Sequence, residues 1–185
     1  GVLNAETPEY SKYFVAGGRH NVVMNSDGDL LAWGRNHKDQ CDIPSGYDAD
    51  DDGICDNVSN CAVIMSSGLS NIKSIEAHGS NLTAVLHNNG HINAWGDNGN
   101  GQCDIPNDVQ GNVEQLSTAG NFMIALLDDG TVTGWGASNN NHFDFPDDSE
   151  LENVVKVEAG AGHGFSFALK SDGTIVGWGN NYYGQ

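Results

Sequence analysis

Short apolar runs alternate with glycine-marked turns along the chain, and the alternation has a long period. Val22-Val23-Met24 is followed by Asp27-Gly28 and then by Leu30-Leu31-Ala32-Trp33-Gly34. The pattern returns as Ala84-Val85-Leu86, Asn89-Gly90 and Ile92-Asn93-Ala94-Trp95-Gly96. It returns again as Ile124-Ala125-Leu126, Asp129-Gly130 and Val132-Thr133-Gly134-Trp135-Gly136. The last copy is Phe167-Ala168-Leu169, Asp172-Gly173 and Ile175-Val176-Gly177-Trp178-Gly179. Apolar runs of strand length joined by Asp-Gly or Asn-Gly predict antiparallel hairpins. A further apolar run precedes each hairpin, beginning near Tyr13, Asn71, Val113 and Asn153, and predicts a first strand. No long amphipathic helical pattern occurs.

All four tryptophans fall at this one repeated position, which marks them as core wedges rather than ligand contacts. A buried indole removes roughly 150–250 Å² from water. The Ala or Gly before it leaves room for a neighbouring sheet, and the Gly after it allows a backbone turn that other residues resist. The tryptophans lie 62, 40 and 43 residues apart, so the unit is 40–43 residues and the first interval carries an extra segment. That period suits a propeller blade of short strands. The expected fold is all-β: four propeller blades at approximately 11–44, 71–106, 107–146 and 147–185, a lead-in at 1–10 and an insertion at 45–70.

After each Trp-Gly comes a polar loop. It ends in Gln40-Cys41-Asp42-Ile43-Pro44, repeated as Gln102-Cys103-Asp104-Ile105-Pro106 and altered to His142-Phe143-Asp144-Phe145-Pro146. The fourth copy reaches Gln185 in mid-unit, so more of the polypeptide, or another chain, is expected to complete the ring. These loops should line one rim, and loops on a rigid scaffold are where binding tends to reside. Asn36, Asn98, Asn140, Tyr182 and Tyr183 are the candidate partner contacts, with ordinary turn chemistry as the plainer reading of the asparagines.

Charge narrows the partners. The chain carries 25 acidic and 7 basic residues, a net −18. Nucleic acid is not an expected partner, because binding it rests on Lys and Arg neutralising phosphates. No apolar stretch is long enough to span a membrane as a helix. No catalytic signature occurs, and the seven histidines are scattered. His20 shares its repeat position with Leu82, Phe122 and Phe165, which makes it a core imidazole. An enzyme is not expected.

Val15-Ala16-Gly17-Gly18-Arg19-His20, an apolar strand, Asp-Gly, and then Ala-Trp-Gly-x-Asn-x-x-x-Gln together resemble the repeat of the RCC1-like β-propellers. The short blade is most similar to the compact secreted bacterial branch that includes the β-lactamase inhibitor protein II type. The resemblance covers the chain except 1–10 and 45–70. It implies a ring of about seven blades acting through loops on one face, of which this chain holds four. The nuclear branch of the family implies nucleotide exchange on a small GTPase and chromatin contact; the acidic charge and the insertion argue against that role.

The insertion carries one chemical motif, Asp48-Ala49-Asp50-Asp51-Asp52-Gly53-Ile54-Cys55-Asp56. Carboxylates at Asp48, Asp50, Asp52 and Asp56, a turn glycine and the Ile54 carbonyl are what a loop for Ca2+ needs. Five aspartates in nine residues repel one another unless a cation neutralises them. With Asn60-Cys61 following, the run resembles a thrombospondin type 3 calcium repeat, although Ser59 stands where an EF-hand has its bidentate Glu. Cys55 and Cys61 share this short loop and are the preferred disulfide candidates; Cys41 with Cys103 would need Cα atoms within about 7 Å. The combined expectation is a calcium-stabilised, non-catalytic module, extracellular or on a cell surface. It would bind a protein partner or self-assemble within a larger surface protein. The alternative is a secreted protein inhibitor.

Overall fold

The computed structural model describes residues 13–24, 29–43, 62–65, 71–78, 81–138, 143–147, 149–160, 164–182 and 184, with 13 and 62–65 described by their backbone. Among these there are thirteen strands and no helix. They form four antiparallel sheets in chain order. The first holds β1 (Tyr13–Ala16), β2 (His20–Met24), β3 (Leu30–Gly34) and β4 (Ala62–Met65). The second holds β5 (Ile72–Glu76), β6 (Leu82–His87) and β7 (Ile92–Gly96). The third holds β8 (Val113–Thr118), β9 (Phe122–Leu127) and β10 (Val132–Gly136). The fourth holds β11 (Val154–Gly160), β12 (Phe165–Lys170) and β13 (Ile175–Gly179).

The segment 45–70 is not insertion throughout. Ala62–Met65 pairs along β3, with Leu30 opposite Met65 and Trp33 opposite Ala62. The first blade therefore has a fourth strand on its edge. Blade two covers the same edge by a different device. Gln110 lays its side-chain amide against β7, its Oε1 accepting from the Ile92 N–H at 2.8 Å and its Nε2 donating to the Ile92 carbonyl at 2.9 Å. One glutamine thus imitates a strand residue and blocks an edge that would otherwise invite pairing.

In blades two to four the hairpins between second and third strands are type I turns followed by a glycine bulge. Gly90, Gly130 and Gly173 donate to the carbonyls of His87, Leu127 and Lys170 at 3.0, 3.0 and 2.9 Å. Only the glycine of each pair has positive φ, at 76°, 89° and 87°. In the last two hairpins the aspartate before it accepts from the threonine after it. Asp129 Oδ1 takes the Thr131 N–H at 2.9 Å and hydroxyl at 2.6 Å; Asp172 takes the same pair from Thr174 at 2.9 and 2.7 Å.

The core lies between blades. Val22, Met24, Leu30 and Ala32 of blade one close on Ile72, Ile75, Val85 and Trp95 of blade two. Leu82, Ala84, Leu86 and Ile92 of blade two close on Val113, Leu116, Ala125 and Trp135. Phe122, Ile124 and Leu126 of blade three close on Val154, Val157, Ala168 and Trp178. Trp95, Trp135 and Trp178 are buried, at 7, 7 and 8% exposure. Trp33 departs from the expectation for all four: it is only half-buried, with no blade packed on its outer face among the described residues.

The glycine after each tryptophan earns its place by backbone geometry. Gly34, Gly96, Gly136 and Gly179 have φ of 121°, 109°, 105° and 97°. A Cβ on Gly136 would stand 2.7 Å from the Asn121 carbonyl oxygen, inside van der Waals contact. Of the small residues before the tryptophans, Ala32 and Ala94 pack in the joints with the following blade, as a close sheet approach requires. At Gly134 the space is taken by the Phe143 ring, 2.7 Å from where a Cβ would be.

Candidate functional site

Each blade's third strand ends at the same edge of the array as its first loop. Backbone bonds seal that edge: the N–H groups of Arg35, Asp97, Ala137 and Asn180 donate to the carbonyls of Arg19, Asn81, Asn121 and Gly164 at 2.7–3.0 Å. The loops after Trp-Gly therefore emerge together on one rim.

The first two of these loops are copies in atomic detail. Asn36 Nδ2 donates to Asp42 Oδ1 at 2.6 Å and its Oδ1 accepts from the Cys41 N–H at 2.8 Å. Asn98 makes the same two bonds with Asp104 and Cys103, both at 2.8 Å. The Gln40 and Gln102 side chains accept from the Lys38 and Asn100 N–H groups, each at 2.9 Å. Their amide nitrogens cross to the next blade, to Asn81 Oδ1 at 3.3 Å and the Gly120 carbonyl at 3.4 Å. Gln40 and Gln102 are fully buried. The Asn-x-x-x-Gln spacing is thus a loop brace and an inter-blade tie.

The brace continues into the blades. The Gln102 carbonyl accepts from Trp135 Nε1–H at 3.0 Å. The Gln40 carbonyl accepts from the Thr83 hydroxyl at 3.0 Å, and that hydroxyl lies 2.8 Å from His20 Nε2. Because the Thr83 proton is given to Gln40, His20 carries its proton on Nε2 and donates. The core placement of His20 holds: it is fully buried and joins blade one to blade two.

The Cys41 and Cys103 thiols donate to the Arg35 and Asp97 carbonyls at 3.7 and 3.6 Å. Cys41 belongs to the first inter-blade core and Cys103 packs against the second. Burial, followed by the Asp104 and Asp97 charges, pushes the Cys103 thiol up to about 11, so it is protonated at neutral pH. Phe143 and Phe145 replace cysteine and isoleucine in the third loop. They build an aromatic chain from Phe122 through Phe143 and Phe145 to Trp178, with centroids 6.1, 6.2 and 5.5 Å apart.

The candidate rim residues fare unequally. Asn36 and Asn98 lie on the rim, but their side chains are engaged within their own loops. Tyr182 stands 82% exposed. Asn140 and Tyr183 lie outside the described residues. So do Asp48, Asp50, Asp52, Ile54 and Asp56 of the acidic loop, Cys55 and Cys61, and the lead-in 1–10. Among the described residues no three His, Cys, Asp or Glu are grouped to hold a metal, and no helix is long and apolar enough to cross a membrane.

One group escaped the reading of the sequence. Arg19, Arg35 and Lys38 are three of the chain's seven basic residues, and the fold gathers them on the rim of blade one. Partial desolvation, then the charges of Arg35, Arg19 and Lys38, hold His37 below its ordinary value. Lys38 also reaches Asp97 of blade two at 3.5 Å. The available signal was the repeat register. Residue 19 precedes the second strand and residue 35 follows the third, and pairing of those strands makes them neighbours.

Successive small antiparallel sheets, packed face on face with a tryptophan wedge at each joint, are the blades of a β-propeller. Residues 12–40, 72–102 and 154–185 match the family model of the regulator of chromosome condensation (RCC1) repeat. An RCC1 repeat-containing protein of Dictyostelium discoideum is 35% identical over 89 residues, which is 46% of this chain and 17% of that protein. Human WBSCR16 superposes with a TM-score of 0.63 at 16% identity, over 92% of this chain and 48% of its own. Prp20p from Saccharomyces cerevisiae superposes with a TM-score of 0.64 at 20% identity, over 93% of this chain and 45% of its own. The chain thus spans about half the length of these solved structures and a small part of the Dictyostelium protein. It is a run of four RCC1-like propeller blades.

Proposed function

We propose that the chain is a non-catalytic binding and structural module, extracellular or on a cell surface, working within a larger surface protein or assembly. Protein recognition is the coarse role that RCC1-like propellers support; yeast Prp20 is described bound to Kap60, and by its binding to Gsp1p and histones. The observation that carries the reading is the rim of blade one. Its loops are braced by internal hydrogen bonds, and it presents Arg19, Arg35 and Lys38 on a chain of net −18. A braced loop loses little entropy on binding. The partner surface that fits is acidic.

Poly-glutamate is the probe. At low salt it should bind the intact chain, and added salt should weaken it because exposed charges are screened beyond about 10 Å at 0.1 M. Arg19→Glu with Arg35→Glu should weaken it at least tenfold while leaving the melting temperature in place. Equal binding by the variant would overturn the reading.

Calcium belongs to the same proposal. The Asp48–Asp56 run has the ligand pattern of a hard-cation loop, and extracellular calcium is abundant enough for a weak site. Calorimetry at millimolar calcium should show binding heat that Asp50→Asn with Asp52→Asn abolishes; no heat from the intact chain would remove calcium from the account. A secreted inhibitor of another protein is the second reading. The exposed Tyr182 on the loop rim favours it.

A further inference from the structure

The third strand of each blade is an outer edge, and the chain closes that edge in two ways. In blade one β4 runs along β3, placing Met65 opposite Leu30 and Val63 opposite Ala32. In blade two the Gln110 amide stands in for a strand residue against Ile92. Among the described residues blade three has neither, and its sheet ends at β10.

Strand alternation says which groups lie open there. The Leu127 N–H donates to the Thr131 carbonyl at 2.8 Å, so Thr131 faces β9. Val132 and Gly134 then turn their N–H and C=O groups away from β9. Val132 is the counterpart of Ile92, the residue that Gln110 clamps. No described residue hydrogen-bonds to the four outward groups of Val132 and Gly134. The turn that carries Gln110 is repeated after blade three. Pro106 accepts from the Val109 and Gln110 N–H groups at 3.0 and 3.2 Å, and Asp147 accepts from those of Glu150 and Leu151 at 2.8 and 3.4 Å. Leu151 therefore occupies the place of Gln110, and its side chain has no donor or acceptor. It packs against the third inter-blade core instead.

This edge has an aromatic side and a charge. A Cβ at Gly134 would meet the Phe143 ring, so an apolar side chain opposite Gly134 on a paired strand would lie toward that half-buried ring. Exposed carboxylates flank the strand in sequence. Asp128 and Asp129 belong to the hairpin that opens β10, and Asp144, Asp147 and Glu150 to the segment that follows it. Two such edges repel one another, which disfavours a second copy of this chain as the occupant and favours a cationic one.

We propose that the edge of β10 receives an extended segment of a partner protein, a short apolar run between basic flanks, antiparallel as β4 is on β3. Backbone bonds to Val132 and Gly134 hold it, and the side chain beside Phe143 selects it. The surface is separate from the basic rim of blade one, so its failure leaves the rim reading untouched.

The probe is a peptide with the run Ala-Val-Ile-Met, which this chain itself lays on β3, between pairs of lysines. Amide hydrogen exchange of the intact chain reads its binding. With saturating peptide the Val132 and Gly134 amides should slow at least tenfold, while that of Ile92, already bonded to Gln110, should stay as it is. N-methylation of the peptide at residues whose N–H groups face β10 should abolish the effect, and methylation at the alternate residues should spare it, because strand pairing has a period of two. Val132→Pro removes an outward donor and no bond to β9, a place where an edge strand tolerates proline. Leu151→Gln supplies the clamp of blade two. Both variants should keep the strand-type circular dichroism and weaken binding, read at the Gly134 amide, at least tenfold. No slowing at Val132 and Gly134, slowing indifferent to the methylation register or to both variants, or equal slowing by an oligolysine of the same length would each overturn the proposal.

Discussion

Asp129 and Asp172 show how much a single hairpin residue can do at the surface. Each is fully exposed, yet the hydroxyl and then the N–H of the threonine two residues on hold its carboxyl below the ordinary value. A depressed carboxylate contributes stability that is present above its unfolded value, about 3.9, and lost as pH falls through the folded one. Thr131→Val should raise the Asp129 value toward the ordinary one and leave Asp172 unchanged. Carboxyl NMR titration of the variant reads this directly; an unmoved Asp129 would refute the assignment. His78 behaves in the opposite sense. Its bond to Glu76, at 3.2 Å, raises its value, so that contribution is held below about pH 6.5 and fades as pH climbs through the folded value.

At the scale of the element, the hairpins and the tryptophan wedge were legible along the chain, because strand alternation and glycine both act locally, whereas the bulged form of the turns was not. The brace was not. Asn36 and Gln40 read as turn residues in a polar loop, and only the folded loop aims one back at Asp42 and the other across to Asn81. Likewise the fourth strand Ala62–Met65 was hidden inside a segment read as insertion, since a short apolar run has no signal of its own partner. The wedge makes a prediction by contrast. Trp135→Ala should cost about 3–5 kcal/mol in chemical denaturation, the usual cost of emptying a packed aromatic site. Trp33→Ala should cost much less, because that indole is only half-buried. Equal losses at the two sites would refute the joint description.

Over the whole molecule, cores are not inside blades but between them, so stability is a sum over joints. Glutamines 40, 102 and 115 each span one joint, while hydrophobic side chains fill it.

Repeat period, strand alternation and the shared tryptophan position determined the fold class from residues alone, since each is a local or periodic property of the chain. What tertiary structure decided was the partner of every side chain that reaches across a joint. It placed Arg19 beside Arg35, left Trp33 half-open and turned Ile175 outward. The physical reason is that equivalent positions of a repeat acquire different surroundings: Ile92 of blade two is buried in an inter-blade core, whereas its counterpart Ile175 in blade four is 67% exposed.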